Sequence, residues 1–357
     1  MTAGQTIAVA ARLWLKHNSP WMTRAKRELT AFSPAMVELG LRELFTDIAA
    51  NVEELERREV SCSTLHAPRS TVCHILSGNL PDSGIVSVVI GLLSGVQNVV
   101  KPATGDPMPE LFMESIATVD SKLARRVRLT RNREAHREAD IVVAYGDDGT
   151  LSSLQKCRRR GARDTFLRFG HRVSIGMVNF SHSAGCVSRS TIAAAARDAS
   201  LWDQQGCMSL QCFYVRGDAA AFAGGLAREM ERFDRLWPRV ELDFANAAAI
   251  ARARNEWSFR GRVWASQGST HWTVVLDERN GWAPSPLNRF VFVRPIELLT
   301  PKLGKQLPLS TIGFVGFSLK EVVAMARADR YCSLGEMQRP SLLLTHGSRP
   351  RVGDLII

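Results

Sequence analysis

Between residues 34 and 56, Val37, Leu41, Leu44, Phe45, Ile48, Val52 and Leu55 recur at three- and four-residue steps. That spacing puts them on one face of a helix. Ser33 and Pro34 supply an N-cap and a first-turn proline, so a helix is predicted over 34–56. Past residue 72 the pattern changes to short apolar runs separated by helix-period segments. Strands are predicted at 73–77, 97–101, 140–145, 165–168 and 173–180, with helices at 84–93, 109–124 and 150–159. Alternation at this spacing predicts a parallel, doubly wound sheet. A second domain is expected from near residue 180. It holds an Ala-rich helix (191–199), a strand (212–215), a helix (218–236) and short strands at 263–266, 271–276 and 289–294. Ser318 and Glu321 form a capping box that opens a helix to about Ala328, and a strand is predicted over 330–333. The expected division is 1–180, N-terminal helices with a first α/β domain; 181–335, a second α/β domain; and 336–357, a tail.

Four strand ends or turns carry candidate chemistry. The strand over Cys73 to Leu76 runs into Gly78-Asn79, and the strand over Asn98 to Lys101 ends at Pro102. Asn79 and Lys101 thus stand at the C-termini of two strands of a βαβ unit, where open parallel sheets bind ligands. Pro102 stops the second strand and leaves Lys101 at its mouth. The run Ile141 to Tyr145 ends in Gly146-Asp147-Asp148-Gly149, a turn without the GxGxxG fingerprint. The fourth is Gln205-Gly206-Cys207, between the Ala-rich helix and the next strand. Such a turn can present a thiol where backbone N–H groups lower its pKa and receive an oxyanion. A lone Cys is also commonly a small buried hydrophobe, and both readings stand at this point.

Composition narrows the class. A chain of 357 residues suggests two domains, or one large one with an appendage, and its 45% hydrophobic and 23% charged residues suit a soluble globular enzyme. No apolar run is long enough for a membrane span, and the N-terminus lacks a signal-peptide pattern, so no integral membrane association is expected. The seven cysteines are odd in number and scattered, with no CxxC pair and no zinc spacing. No metal is expected, and a reducing cytoplasm is the natural compartment. The net charge of +11 gathers at Arg125–Arg137 and Lys156–Arg163. It reads either as a solvated basic face or as a field that steers polyanions such as a dinucleotide phosphate or coenzyme A. No nucleic-acid-binding motif accompanies it, so no nucleic acid partner is expected.

Four segments carry a resemblance: Ser77-Gly78-Asn79-Leu80-Pro81, Phe169-Gly170-His171-Arg172-Val173-Ser174, Trp202-Asp203-Gln204-Gln205-Gly206-Cys207, and Gly335-Glu336-Met337-Gln338-Arg339-Pro340. In this order they resemble the long-chain acyl-CoA reductases of the bacterial bioluminescence operons, within the aldehyde dehydrogenase superfamily. The resemblance implies an α/β, aldehyde dehydrogenase-like fold: a doubly wound cofactor-binding domain and an α/β catalytic domain carrying the nucleophilic Cys. It implies NADPH-dependent reduction of a fatty acyl thioester to the aldehyde. Cys207 would be the nucleophile, and Asn79 with the Cys207 amide would hold the oxyanion. Lys101, Pro102 and Gly146 would meet the cofactor, with Lys101 on the adenosine ribose or its phosphate. His171 would serve as acid/base. Arg168 stands where hydrolytic relatives carry a general-base Glu, which favours the reductive direction. The tail departs from the pattern. Relatives show an aromatic-His-His-Asp-Gly stretch, whereas this chain has Leu344-Thr345-His346-Gly347-Ser348 before Arg349-Pro350. The implied partners are acyl-CoA or an acyl-carrier thioester, an acyl-protein synthetase, and further copies in a homo-oligomer. The tail would cross back to the cofactor domain or a neighbouring subunit. The rival readings are a phosphate-activated semialdehyde reductase and a non-catalytic subunit of a reductase–synthetase complex.

Overall fold

A capping box at Thr2 opens the first helix, α1 (Ala3–Leu15), and Ser19 with Pro20 opens α2 (Pro20–Glu28). The predicted amphipathic helix is α3 (Pro34–Leu55). Its stripe is the one the periodicity marks: Val37, Leu41, Phe45, Ile48, Val52 and Leu55 are buried. The computed structural model describes residues 1–60, 71–137, 139–157, 165–180 and 188–344. The chain divides into two units, Met1–Thr30 with Val37–His171 and Ser341–Ile357, and Ala31–Met36 with Arg172–Pro340.

The first unit continues through β1 (Thr71–Ile75), α4 (Pro81–Leu93), β2 (Gln97–Lys101), α5 (Met108–Val119), α6 (Ser121–Ala124), β3 (Val127–Leu129), β4 (Ile141–Tyr145), α7 (Asp148–Lys156) and β5 (Thr165–Phe169). Its five strands lie in the order β3-β2-β1-β4-β5, every pair parallel. All their C-termini therefore share one edge. The single helix expected over 109–124 is two. Asp120 breaks it, because its carboxylate accepts from Lys122 N at 2.8 Å and Leu123 N at 3.1 Å and caps a new turn. β3 escapes sequence reading because it is three residues long and includes the exposed Arg128.

The second unit runs β6 (Val173–Asn179), α8 (Arg189–Ser200), β7 (Leu210–Arg216), α9 (Ala219–Leu236), α10 (Phe244–Ser258), β8 (Arg262–Ala265), β9 (Thr273–Leu276), β10 (Phe290–Pro295), α11 (Pro301–Gln306), β11 (Leu309–Val315), α12 (Leu319–Met325) and β12 (Ala328–Ser333). Its sheet has the order β12-β11-β6-β7-β10-β9-β8, parallel except for β8 against β9. Two apolar layers cover it. One gathers Phe213, Phe222, Leu226 and Val293, and the other gathers Ile175, Tyr214, Phe292 and Ile312. The strand predicted at 173–180 belongs here, not to the first sheet. Its apolar run suits either sheet, and only the topology assigns it. α10 and β11 were not foreseen. α10 buries only Ile250 and Trp257, so its Ala-rich sequence shows no stripe.

After β12 the chain turns at Leu334–Gln338, and residues 341–344 return to the first unit. There Asn51 Nδ2 donates to Ser341 Oγ at 3.4 Å, and Leu342 N donates to Asp47 Oδ2 at 2.7 Å. The His346-Gly347-Ser348-Arg349-Pro350 stretch lies outside the described residues.

Candidate active site

Cys207 is exposed on a four-residue turn between α8 and β7. The chain reaches it through an unusual path. Trp202, Asp203 and Gln204 have φ of 52°, 51° and 65°, three successive L-residues in the left-handed region. Each costs about 1–2 kcal/mol against ordinary backbone, so the surroundings must hold them there. The Trp202 ring is buried and meets Phe32 edge-on at 5.1 Å. The Gln204 side chain bridges two strands: Nε2 donates to Leu210 O at 2.6 Å and Phe290 O at 2.9 Å, while Oε1 accepts from Phe290 N at 2.9 Å.

A second left-handed triplet, Leu287-Asn288-Arg289 (φ 62°, 58° and 64°), is bonded to the first. Arg289 Nε donates to Asp203 Oδ1 at 2.8 Å, and Gln205 Nε2 donates to Asn288 Oδ1 at 3.0 Å. The buried Arg289 also reaches Asp234 Oδ1 and Trp237 O, each at 2.7 Å. The approach to Cys207 is thus locked by buried polar bonds, which hold their geometry because each is costly to break.

The turn itself is pinned along its backbone. Gly206 N donates to Ser209 Oγ at 3.0 Å, and Ser209 N to Gly206 O at 3.0 Å. The Cys207 carbonyl accepts from Ser174 Oγ at 2.8 Å. Ser209 Oγ donates to Gln338 Oε1 at 3.3 Å, and Gln338 Nε2 donates to Asp198 O and Leu201 O at 2.8 and 3.0 Å. The Gly335-Glu336-Met337-Gln338 segment is therefore a brace for this turn. Asp198 holds it in place by accepting from Gly335 N at 2.5 Å and Met337 N at 3.2 Å. Gly335 turns with φ 93°, a conformation that favours glycine. Burial pushes the Asp198 carboxyl up to about 7.

Burial disfavours the thiolate at two of the other described cysteines. Cys212 is buried in β7, and burial pushes its thiol up to about 12; that of Cys332 rises to about 11 for the same reason. Cys73 is buried in β1, and Cys157 is exposed at the end of α7. A thiol that stays protonated is neither nucleophile nor leaving group. Cys62 and Cys186 lie outside the described residues.

Lys101 ends β2, and Asn79 and Gly146 follow β1 and β4, on the C-terminal edge of the first sheet. Asn79 is exposed in a bend. The residue that caps α4 is Leu80, without a side-chain bond, and Pro81 takes the first turn. The loops after β1 and β2 touch: a Cβ on Gly78 would lie 2.8 Å from Ala103 Cβ, so only glycine fits. The half-buried Lys101 turns its Nζ to Pro102 O at 3.3 Å. Burial pushes the Asp82 carboxyl, in the first turn of α4, up to about 6. Beyond Gly146, Asp147 accepts from Thr150 N at 2.8 Å and caps α7. Arg168 pairs with Asp148 at 3.2 Å. His171 is exposed in the connection between β5 and β6. Sequence reasoning missed Ser174, Asp198, Ser209 and Arg289. Asp198, Ser209 and Arg289 carry no local signal; Ser174 and Gln338 lay in two of the four segments that carry the resemblance, without a role there. Among the described residues no three His, Cys, Asp or Glu side chains could hold a metal ion, and no helix is long and apolar enough to cross a membrane.

Two solved structures show the fold. NAD-dependent benzaldehyde dehydrogenase from Corynebacterium glutamicum matches with a TM-score of 0.70 at 11% identity, over 96% of this chain and 84% of that one. NADP-dependent glyceraldehyde-3-phosphate dehydrogenase from Bacillus halodurans matches with a TM-score of 0.70 at 11% identity, over 92% and 77%. The fold is that of the aldehyde dehydrogenases. Residues 22–342 match acyl-CoA reductase (LuxC), and the chain belongs to that family. Curated relatives include the long-chain acyl-protein thioester reductases of Aliivibrio fischeri and Photorhabdus luminescens. The first is 23% identical over 248 residues, 66% of this chain and 50% of the relative. The second is 24% identical over 287 residues, 75% and 58%. The chain spans roughly half the length of these relatives.

Proposed function

We propose that this protein reduces a fatty acyl thioester to the aldehyde through an acyl intermediate on Cys207, with NADPH as the reductant. The observation that carries the reading is the Cys207 turn, an exposed thiol on a backbone clamped by buried polar bonds, in a member of an acyl-CoA reductase family. In the first step the Cys207 thiolate attacks the thioester carbonyl and expels the donor thiol. Exchange of one thioester for another is nearly isoenergetic, so the Cys divides the reaction into two easier steps. When bound, NADPH would supply the hydride that reduces the acyl group to the thiohemiacetal. The Cys207 amide and the Asn79 side chain hold the oxygen of the thiohemiacetal, a contribution of roughly 3–4 kcal/mol per donor in comparable sites. His171 protonates the departing thiol or manages the aldehyde oxygen. Collapse of the thiohemiacetal releases aldehyde and restores the thiolate.

Lys101, Pro102 and Gly146 are assigned to the cofactor, with the first unit as its binding domain. Two features support NADPH. An acidic side chain that takes the ribose 2′-hydroxyl selects against a 2′-phosphate, and the loop from Pro102 to Gly105 has none. The first carboxylate after Lys101 is Asp106, which accepts from Met108 N at 3.0 Å at the start of its own helix. The acyl donor is acyl-CoA or a protein-bound thioester. The synthetase partner, the homo-oligomer and the cytoplasmic compartment belong to the same proposal. The test is incubation with acyl-CoAs of graded length, acyl-carrier thioesters and acyl phosphates, following NADPH oxidation and aldehyde. Mass spectrometry of the Cys207 peptide without NADPH detects the acyl group. Turnover with acyl phosphates alone would replace this reading with that of a semialdehyde reductase. A Cys207 peptide that never gains an acyl group would remove the covalent mechanism.

A further inference from the structure

Both neighbours of β6 lose register at the same place. Along β11, Leu309 pairs with Val173 and Ile312 with Ile175, so β11 carries an extra residue opposite Ser174. Along β7, Leu210 pairs with Ser174 and Cys212 with Ile175, so β7 carries an extra residue there too. Each is a β-bulge, which leaves ladder groups unpaired and re-aims the chain beside it. The Ser174 hydroxyl fills the gap. It is fully buried, accepts from Thr311 N at 3.2 Å on one side and donates to the Cys207 carbonyl at 2.8 Å on the other.

We infer that Ser174 is a positioning residue for Cys207. Its hydroxyl sits in a bulge shared by three strands and fixes the peptide that follows the nucleophile. The inference rests on the reading of Cys207 as nucleophile. A peptide tied at its carbonyl can no longer rotate about its neighbouring bonds, so the Cα–Cβ direction of Cys207 is set by the sheet and not by the loop. The Ser209 hydroxyl ties the other side of the turn at Gly206 N, so the two bonds flank Cys207. Bulges beside reactive groups commonly serve to aim a side chain, and misplacement of a reacting group by about 1 Å can cost roughly 10²-fold in rate.

The test compares Ser174→Thr with Ser174→Val, two side chains of one shape that differ only in the hydroxyl. With full-length protein, the expected kcat of Ser174→Val falls by about 10- to 100-fold, while Ser174→Thr stays within about 3-fold of wild type. The KM for NADPH should stay within about 2-fold in both, because only the turn is disturbed. Pre-steady-state acylation of the Cys207 peptide by acyl-CoA should slow in step with kcat. A residue that merely holds the strand would lower the unfolding temperature of Ser174→Val and leave turnover per folded molecule unchanged, which would overturn the inference. Should the valine variant not fold, Ser174→Ala is read against Ser174→Thr by the same criterion. Cys207→Ser is run alongside. If it keeps wild-type turnover, the nucleophile reading and the inference both fall. If it is inactive while Ser174→Val acylates at the wild-type rate, the inference alone falls.

Discussion

His74 is the place where acid should act first on the first unit. It points from β1 toward α4, fully buried, with Nδ1 2.8 Å from Ser87 Oγ and Nε2 3.0 Å from Asn98 Oδ1. The Asn98 amide orientation is fixed by its own bonds, Nδ2 donating to Gly91 O at 3.1 Å and Val96 O at 2.9 Å. Asn98 Oδ1 therefore accepts, Nε2 carries the proton, and Nδ1 accepts from the Ser87 hydroxyl. Gly91 makes room for this set, since a Cβ there would come 2.2 Å from Asn98 Oδ1. Burial lowers the imidazole from 6.5 to about 4, the Asn98 bond opposing only in part. The sign follows directly. Above the unfolded pKa neither state binds the proton and His74 is neutral in its effect. As pH falls below that value, the unfolded chain takes up a proton that the folded chain refuses, and stability is lost until the folded pKa is passed. At about 1.36 kcal/mol per unit, the loss reaches about 2 kcal/mol near pH 5 and about 3 near pH 4. Asp82, Asp106 and Asp198 work against it. Burial raises all three, so they stabilise the fold as pH falls. The measurement must therefore be a difference. Urea unfolding of wild type and His74→Gln is compared between about pH 7.5 and pH 4.5, so the carboxyl contributions cancel. The variant should be less stable by about 1–3 kcal/mol at the upper end, from broken buried bonds. Its deficit should shrink by about 2 kcal/mol toward the lower end as the wild type loses the His74 contribution. A gap that stays constant with pH would refute the buried neutral histidine.

Other outcomes follow from the site. Cys207→Ser should abolish acyl-enzyme formation without unfolding the protein, whereas Cys212→Ala should keep labelling and lower the urea midpoint; mass spectrometry after acyl-CoA treatment decides between the two thiols. Asn79→Ala should lower kcat by roughly 10²–10³ with cofactor affinity barely changed, as steady-state kinetics with fluorescence titration would reveal. Lys101→Met should weaken NADPH binding more than NADH binding, with the gap narrowing as salt rises; equal losses would leave Lys101 on the ribose hydroxyls alone. Arg289→Met should cost about 3–5 kcal/mol, because Asp203 and Asp234 are left without their buried partner; a calorimetric loss below about 1 kcal/mol would refute the clamp between the two left-handed triplets.

Local patterns were enough for much of the scaffold. The α3 stripe is legible because helix periodicity and core burial are the same fact seen twice, and the capping box at Ser318 is present as read, opening a helix that ends at Met325, three residues short of the expected Ala328. The Gly78-Asn79 and Lys101-Pro102 strand ends could be read because strand length and glycine or proline punctuation are local. Which sheet a strand joins is not local, and Val173–Asn179 joined the second. The left-handed triplets at 202–204 and 287–289 contain no glycine, so nothing in their own residues announces them. Their backbone is held by bonds between segments more than 80 positions apart, such as Arg289 to Asp203. Asp198, Ser174 and Gln338 are ordinary polar residues until tertiary packing brings them around one turn. The chain thus announced an exposed thiol on a Gln-Gly-Cys turn. What holds its turn is a set of buried hydrogen bonds between distant segments, and only the folded structure could decide that, because such bonds exist only once the sheet has formed.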